Sequence, residues 1–132
     1  MTHPPLLRLT LYTRKMEEMA AFYATHFGYT ALAAPGDRLV ELRPPGPGVI
    51  LNLHPLAKSQ KAGQALVKLC FEVPDVAAFA TQAAANGLTF GKPFKGDGYV
   101  FANAKDPAGN SISITSRGSA SLRLEAWNGS DA

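Results

Sequence analysis

Apolar and polar side chains alternate along residues 6–13, Leu-Leu-Arg-Leu-Thr-Leu-Tyr-Thr, the two-residue period of a strand with one buried face. The period then lengthens. From Lys15 to His26 apolar residues recur at helical spacing, at Met16, Met19, Ala20, Tyr23 and on to Phe27, and Gly28 stands where a helix closes with a left-handed residue. Strand-like runs follow at 29–33, 38–43 and 49–54. They are separated by a Pro35-Gly36-Asp37 turn and by residues 44–48, whose prolines cannot donate to a ladder.

The second half replays this order. Residues 67–73 read as a strand, Asp75 as the N-cap of a helix over 76–86, and Gly87 as its close. Its apolar face carries Val76, Phe79, Ala80 and Ala83. A short strand at 88–90, a turn at 95–98, a strand at 99–104, the turn Asp106-Pro107-Ala108-Gly109-Asn110 and a strand at 111–115 complete it. Gly28 maps to Gly87, Gly36-Asp37 to Gly96-Asp97 and Arg8 to Lys68, at a shift of about sixty residues. The pattern therefore predicts an α+β domain of two tandem βαβββ modules, about 6–54 and 67–117. Residues 55–66 serve as linker and 118–132 as a tail in which Leu122, Leu124 and Trp127 could dock.

Three motifs carry a resemblance: Phe22-Tyr23 near the end of the first helix, Cys70-Phe71-Glu72-Val73 before the aspartate-capped second helix, and Asp106-Pro107-Ala108-Gly109-Asn110 before the last strand. Together they make residues 6–117 similar to the vicinal oxygen chelate superfamily, that of glyoxalases, bleomycin-resistance proteins and extradiol dioxygenases. The resemblance implies two βαβββ units curving into an open cup for a small molecule, often completed by formation of a homodimer. Metal-dependent members place one ligand on each of four strands. The matching positions here are Arg8, Asn52, Lys68 and Ser113, none a normal ligand for a divalent metal, and two of them cationic. The expectation is accordingly no metal and no cofactor. Of the three histidines, His3 lies in a proline-rich terminus and His26 at an exposed helix end. His54, two residues beyond Asn52, is the best placed to face the same side.

Strand alternation assigns the faces. With Leu7, Leu9 and Leu11 under the helices, Arg8, Thr10 and Tyr12 turn to the cup, joined by Ile50, Asn52 and His54. From the second module come Lys68, Cys70, Glu72, Ser111, Ser113, Thr115, Tyr99, Phe101 and Asn103. The expected ligand-binding set is Arg8, Asn52, His54, Lys68, Glu72, Tyr99, Phe101 and Ser113. Two like charges, Arg8 and Lys68, need neutralising: either Glu72 and Glu41 pair with them structurally, or an anionic ligand sits between them. Tyr99 and Phe101 either stack on a planar ligand or fill the cup. Cys70 reads as small core-like filler rather than a nucleophile.

Composition narrows the function classes. The net charge of +3 comes from thirteen scattered basic residues, not from a stripe of the kind that tracks a phosphate backbone, so nucleic acid is not an expected partner. Nor does the positive charge suit a cationic drug such as bleomycin. No apolar run reaches the roughly 18 residues of a membrane span. A single cysteine and the lack of a signal pattern fit a cytoplasmic protein. Two functions compete: a metal-independent protein binding a small anionic or aromatic compound, and an enzyme of the same superfamily, a lyase, isomerase or dioxygenase-like protein using His54 and a carboxylate in a non-standard site. A third is an interaction module with a vestigial pocket.

Overall fold

A computed structural model describes residues 6–64, 67–117 and 125–126. His3, Leu122, Leu124 and Trp127, named above for the termini, lie outside the described residues. The order of elements is β1 (Arg8–Thr13), α1 (Met16–Phe27), β2 (Thr30–Leu32), β3 (Val40–Arg43), β4 (Ile50–Pro55), β5 (Lys68–Glu72), α2 (Val76–Ala85), β6 (Phe94–Lys95), β7 (Val100–Lys105) and β8 (Ser111–Thr115). The strands form two four-stranded sheets of matching order, β1-β4-β3-β2 and β5-β8-β7-β6. This is the α+β fold of two repeated βαβββ modules that the pattern predicted. The chain packs as two compact units, residues up to 68 with 105–111, and 69–104 with residues from 112 onward.

In the first sheet β1 runs parallel to β4, while β3 is antiparallel to both β4 and β2. Register places Thr10 beside Asn52, Asn52 beside Glu41 and Glu41 beside Leu32, one row across all four strands. The opposite face carries Leu42, Leu51 and Leu53, buried with Met19 and Tyr23 of α1. Removing these side chains from water is what holds the helix on the sheet, since burying one leucine contributes about 1.5–3 kcal/mol. Gly28 closes α1 in the left-handed region (φ 71°), its N–H donating to Ala24 O while Tyr29 N donates to Tyr23 O. At α2, Asp75 caps as expected, accepting from Ala78 N at 3.0 Å.

Four details differ from the sequence reading. Residues 88–90 are not a strand; the module's second strand is the two-residue β6 at Phe94–Lys95. Leu88 and Phe90 alternate because they are buried, Phe90 edge-on to Phe79 of α2, rather than because they join a ladder. Leu7 is exposed. It precedes the first paired residue of β1 and contributes only its carbonyl, which accepts from Ile50 N. β3 begins at Val40 instead of Arg38, because Ala34 to Leu39 are taken up in a turn where Asp37 N donates to Ala34 O and Asp37 Oδ1 accepts from Leu39 N. Finally, the left-handed glycine of the second-module hairpin is Gly98 (φ 81°), whereas Gly36 (φ 80°) serves in the first.

The tip of the β7–β8 hairpin belongs to the first unit. Asp106 is buried and its carboxylate is fully engaged: Oδ1 accepts from Ala108 N and Asn110 N, and Oδ2 from Asn110 Nδ2 and from the Tyr23 hydroxyl at 2.8 Å. Burial, and then the adjacent Asp106 charge, push the Tyr23 hydroxyl far above its ordinary pKa, so Tyr23 stays a neutral donor. Gly63 lies against the same tip. Arg14 donates to the carbonyls of Ala57, Lys58 and Gln60, and Gly63 packs where a β-carbon would meet Ala108 O at 3.0 Å.

Candidate functional site

On the face of the first sheet turned away from α1, Glu41 is the centre. It accepts from Arg8 through Oε1 and from Arg43 Nε through Oε2 at 2.6 Å, and Arg8 also reaches Asn52 Oδ1 at 3.4 Å. These bonds hold the Glu41 carboxyl below its ordinary pKa. Asn52 is buried, and on the same face the His54 ring leans on Tyr12 with centroids 5.5 Å apart. His54 Nδ1 lies 3.0 Å from Pro55 O. Next to Arg43 a cavity of about 340 Å³ is lined by Leu32, Ala33, Ala34, Asp37, Leu39, Glu41 and Arg43.

The second sheet presents an aromatic row. Phe94 stacks on Phe101 (5.3 Å, 23°), Phe101 on Tyr99 (6.2 Å, 28°), and the Arg117 guanidinium lies 5.2 Å from the Tyr99 ring centre. The outer ring, Phe94, is 54% exposed. Gly96 lets Tyr99 settle here, because a β-carbon at Gly96 would overlap the ring. On β5, Lys68, Cys70 and Glu72 are exposed and alternate with Leu69 and Phe71. Ser113 is buried and its hydroxyl donates to Ala102 O at 3.1 Å.

Of the expected ligand-binding set, the first sheet thus groups Arg8, Asn52 and His54 on one face, and the second groups Tyr99 and Phe101. Glu72 lies, as alternation placed it, on the face opposite Leu69 and is exposed there; Cys70 on the same face is exposed too and is not core filler. Alternation turns both away from the buried Leu69 side. His26 is not fully exposed either: its ring packs 5.0 Å from Phe22, and desolvation lowers its pKa. Arg43, Phe94 and Arg117 were missed. Phe94 and Arg117 lie outside the strands the sequence pattern delimited, so alternation gave them no face, whereas Arg43, two residues from Glu41 on the same strand, was open to period-two reading.

The sequence profile of the Glyoxalase/Bleomycin resistance protein/Dioxygenase superfamily matches residues 6–114. The chain belongs to this superfamily. No curated protein matches it in sequence. Solved structures of the glyoxalase-like fold match it in three dimensions. TnmS3, an antibiotic-binding protein from Streptomyces sp. CB03234, is 22% identical, with 86% of this chain and 96% of that one covered at a TM-score of 0.72. A lactoylglutathione lyase from Agrobacterium tumefaciens is 21% identical (86% and 95% covered, TM-score 0.65). A virulence protein from Salmonella typhimurium is 20% identical (87% and 98% covered, TM-score 0.67). At these identities the likeness is one of fold, which in this superfamily is shared by binders and enzymes alike.

Arg8, Asn52, Lys68 and Ser113, the four residues that the resemblance sets against metal ligands, do not make a donor set for a divalent metal. Arg8 and Lys68 are cations without a lone pair, Asn52 accepts from Arg8, and the Ser113 hydroxyl is spent on a backbone carbonyl. Among the described residues no three of His, Cys, Asp and Glu gather in one place.

Proposed function

We propose that this superfamily member is a metal-independent small-molecule-binding protein whose ligand contains a planar aromatic or anionic group. The observation that carries the reading is the row Phe94, Phe101 and Tyr99, ending in the exposed Phe94 ring and extended by the Arg117–Tyr99 contact. A flat apolar surface edged by cationic and polar groups recognises planar compounds through stacking, with a few polar contacts for orientation. TnmS3, by its description an antibiotic-binding protein, offers a parallel on the same fold. The donor chemistry at Arg8, Asn52, Lys68 and Ser113 favours a binder over a metal-dependent lyase or dioxygenase. In this reading Tyr99 and Phe101 of the second unit supply stacking contacts, Arg8, Asn52 and His54 of the first unit supply polar contacts on their own sheet face, and the protein acts in the cytoplasm as a homodimer.

Fluorescence or calorimetric titration with a panel of planar aromatic compounds tests it. At least one should bind, and Phe94→Ala, at an exposed position, should weaken that binding by about fivefold or more, given stacking worth about 0.5–1.5 kcal/mol beyond area burial. Elemental analysis of protein purified without chelator is the second arm. One iron, zinc, nickel or manganese per chain would overturn metal independence.

A further inference from the structure

Two guanidinium groups converge on one carboxylate in the first sheet, and the arrangement leaves hydrogen-bond donors over. Arg8 and Arg43 take one oxygen each of Glu41. A guanidinium has five N–H donors. Arg8 uses Nη1, on Glu41 and Asn52, and Arg43 uses Nε, on Glu41. The side chains of Arg8 and Arg43 are 45% and 56% exposed, while that of Glu41 is 17% exposed. Glu41 therefore fixes two cations by one edge each and leaves other edges open to solvent.

The cavity beside Arg43 adds a second kind of contact. Leu32, Ala33, Ala34 and Leu39 give it apolar walls, and its volume of about 340 Å³ suits a small organic molecule. Asp37 is its remaining charged lining residue, with Oδ1 turned to Leu39 N.

Resting on the ligand-binding reading above, we propose that this is a subsite for a small monocarboxylate with an apolar body. The carboxylate docks on the open N–H groups of Arg43, and the apolar body lies against Leu32, Ala33, Ala34 and Leu39. One negative charge is matched by the open donors of Arg43. A second would face both Asp37 and Glu41, so dianions are disfavoured. Glu41 is a positioning residue, and Arg43 decides specificity. A carboxylate accepts charge-assisted, bidentate bonds from a guanidinium that a neutral amide cannot match.

Isothermal titration with octanoate and phenylacetate, their amides, and the dianion succinate tests the assignment. The monocarboxylates should bind, with amides and succinate about tenfold weaker or more, as expected for loss of a charge-assisted hydrogen bond. Arg43→Gln, at an exposed position, should cost about the same factor. Ala34→Asp, which puts a negative charge into the cavity from an exposed residue, should abolish binding. Arg38→Gln, a neighbouring exposed cation outside the lining, should leave affinity unchanged. Equal affinity for carboxylate and amide, or unchanged affinity in Arg43→Gln, overturns the subsite. Carboxylate binding lost in Phe94→Ala but kept in Arg43→Gln also overturns it, while leaving the aromatic-row reading intact. If neither these compounds nor the planar panel bind, both fall.

Discussion

At Asp106 a single carboxylate gathers four hydrogen bonds, three from its own turn and one from Tyr23, which lies 83 residues earlier in the sequence. Hydrogen bonds to a charged, buried acceptor are among the stronger ones, so Tyr23→Phe should destabilise the protein by about 1.5–3 kcal/mol in urea denaturation. The turn itself should survive, because Ala108 N, Asn110 N and Asn110 Nδ2 keep their acceptor. Glu41 makes a prediction of another kind. Its folded pKa lies below its ordinary value of 4.5, so the ionised form stabilises the folded state at any pH above that value. That contribution disappears as pH falls through the lower, folded value. The stability difference between wild type and Glu41→Gln should accordingly be constant near neutrality and shrink below about pH 4.5, as read from denaturation midpoints across pH. The Glu41–Arg8 pairing was one of the two arrangements the sequence offered, and Arg43, two residues along the same strand, shares the face of Glu41. Asp106 is visible as turn chemistry, but nothing local says that Tyr23 completes it.

Among the elements, the helices and ladder strands were legible because each carries a period and a stop signal: Gly28 after α1, Asp75 before α2. The exception, residues 88–90, shows the limit of period-two reasoning, since Leu88 and Phe90 alternate to reach the α2 core and not to pair. Two glycines make the connections testable. Gly63 has φ 68° and stands against Ala108 O and Gly109 O. Gly63→Ala should lower stability by about 1–2 kcal/mol from backbone conformation alone, and by more if the hairpin tip cannot yield. Gly96 gives a contrasting expectation. The atoms its β-carbon would meet belong to the Tyr99 ring, which can swing away. Gly96→Ala should therefore change melting temperature little but weaken binding of planar compounds by displacing Tyr99 from the row, a separation of stability from affinity that titration and thermal melts would show together.

For the whole molecule, the compact units do not coincide with the sequence repeat. The repeat runs through residues 67–117, yet residues 105–111 pack with the first unit, fastened by Tyr23–Asp106 and by Gly63 against the tip. The helices stay short, and none among the described residues is long and apolar enough to cross a membrane. If the protein needs no metal, dialysis against EDTA should leave its melting temperature unchanged, whereas a structural metal would couple binding to folding and lower it. Sequence alone determined the two βαβββ modules, because hydrophobic period, capping and turn chemistry are local properties that a chain carries wherever it folds. Only tertiary structure decided between the arrangements offered for Arg8, giving it Glu41 as partner, and brought the aromatic row on to Phe94 and Arg117 and Tyr23 onto the Asp106 turn. The physical reason is that strand order and register, not sequence spacing, choose which distant side chains become neighbours, and ion pairs and ring stacking act only between neighbours.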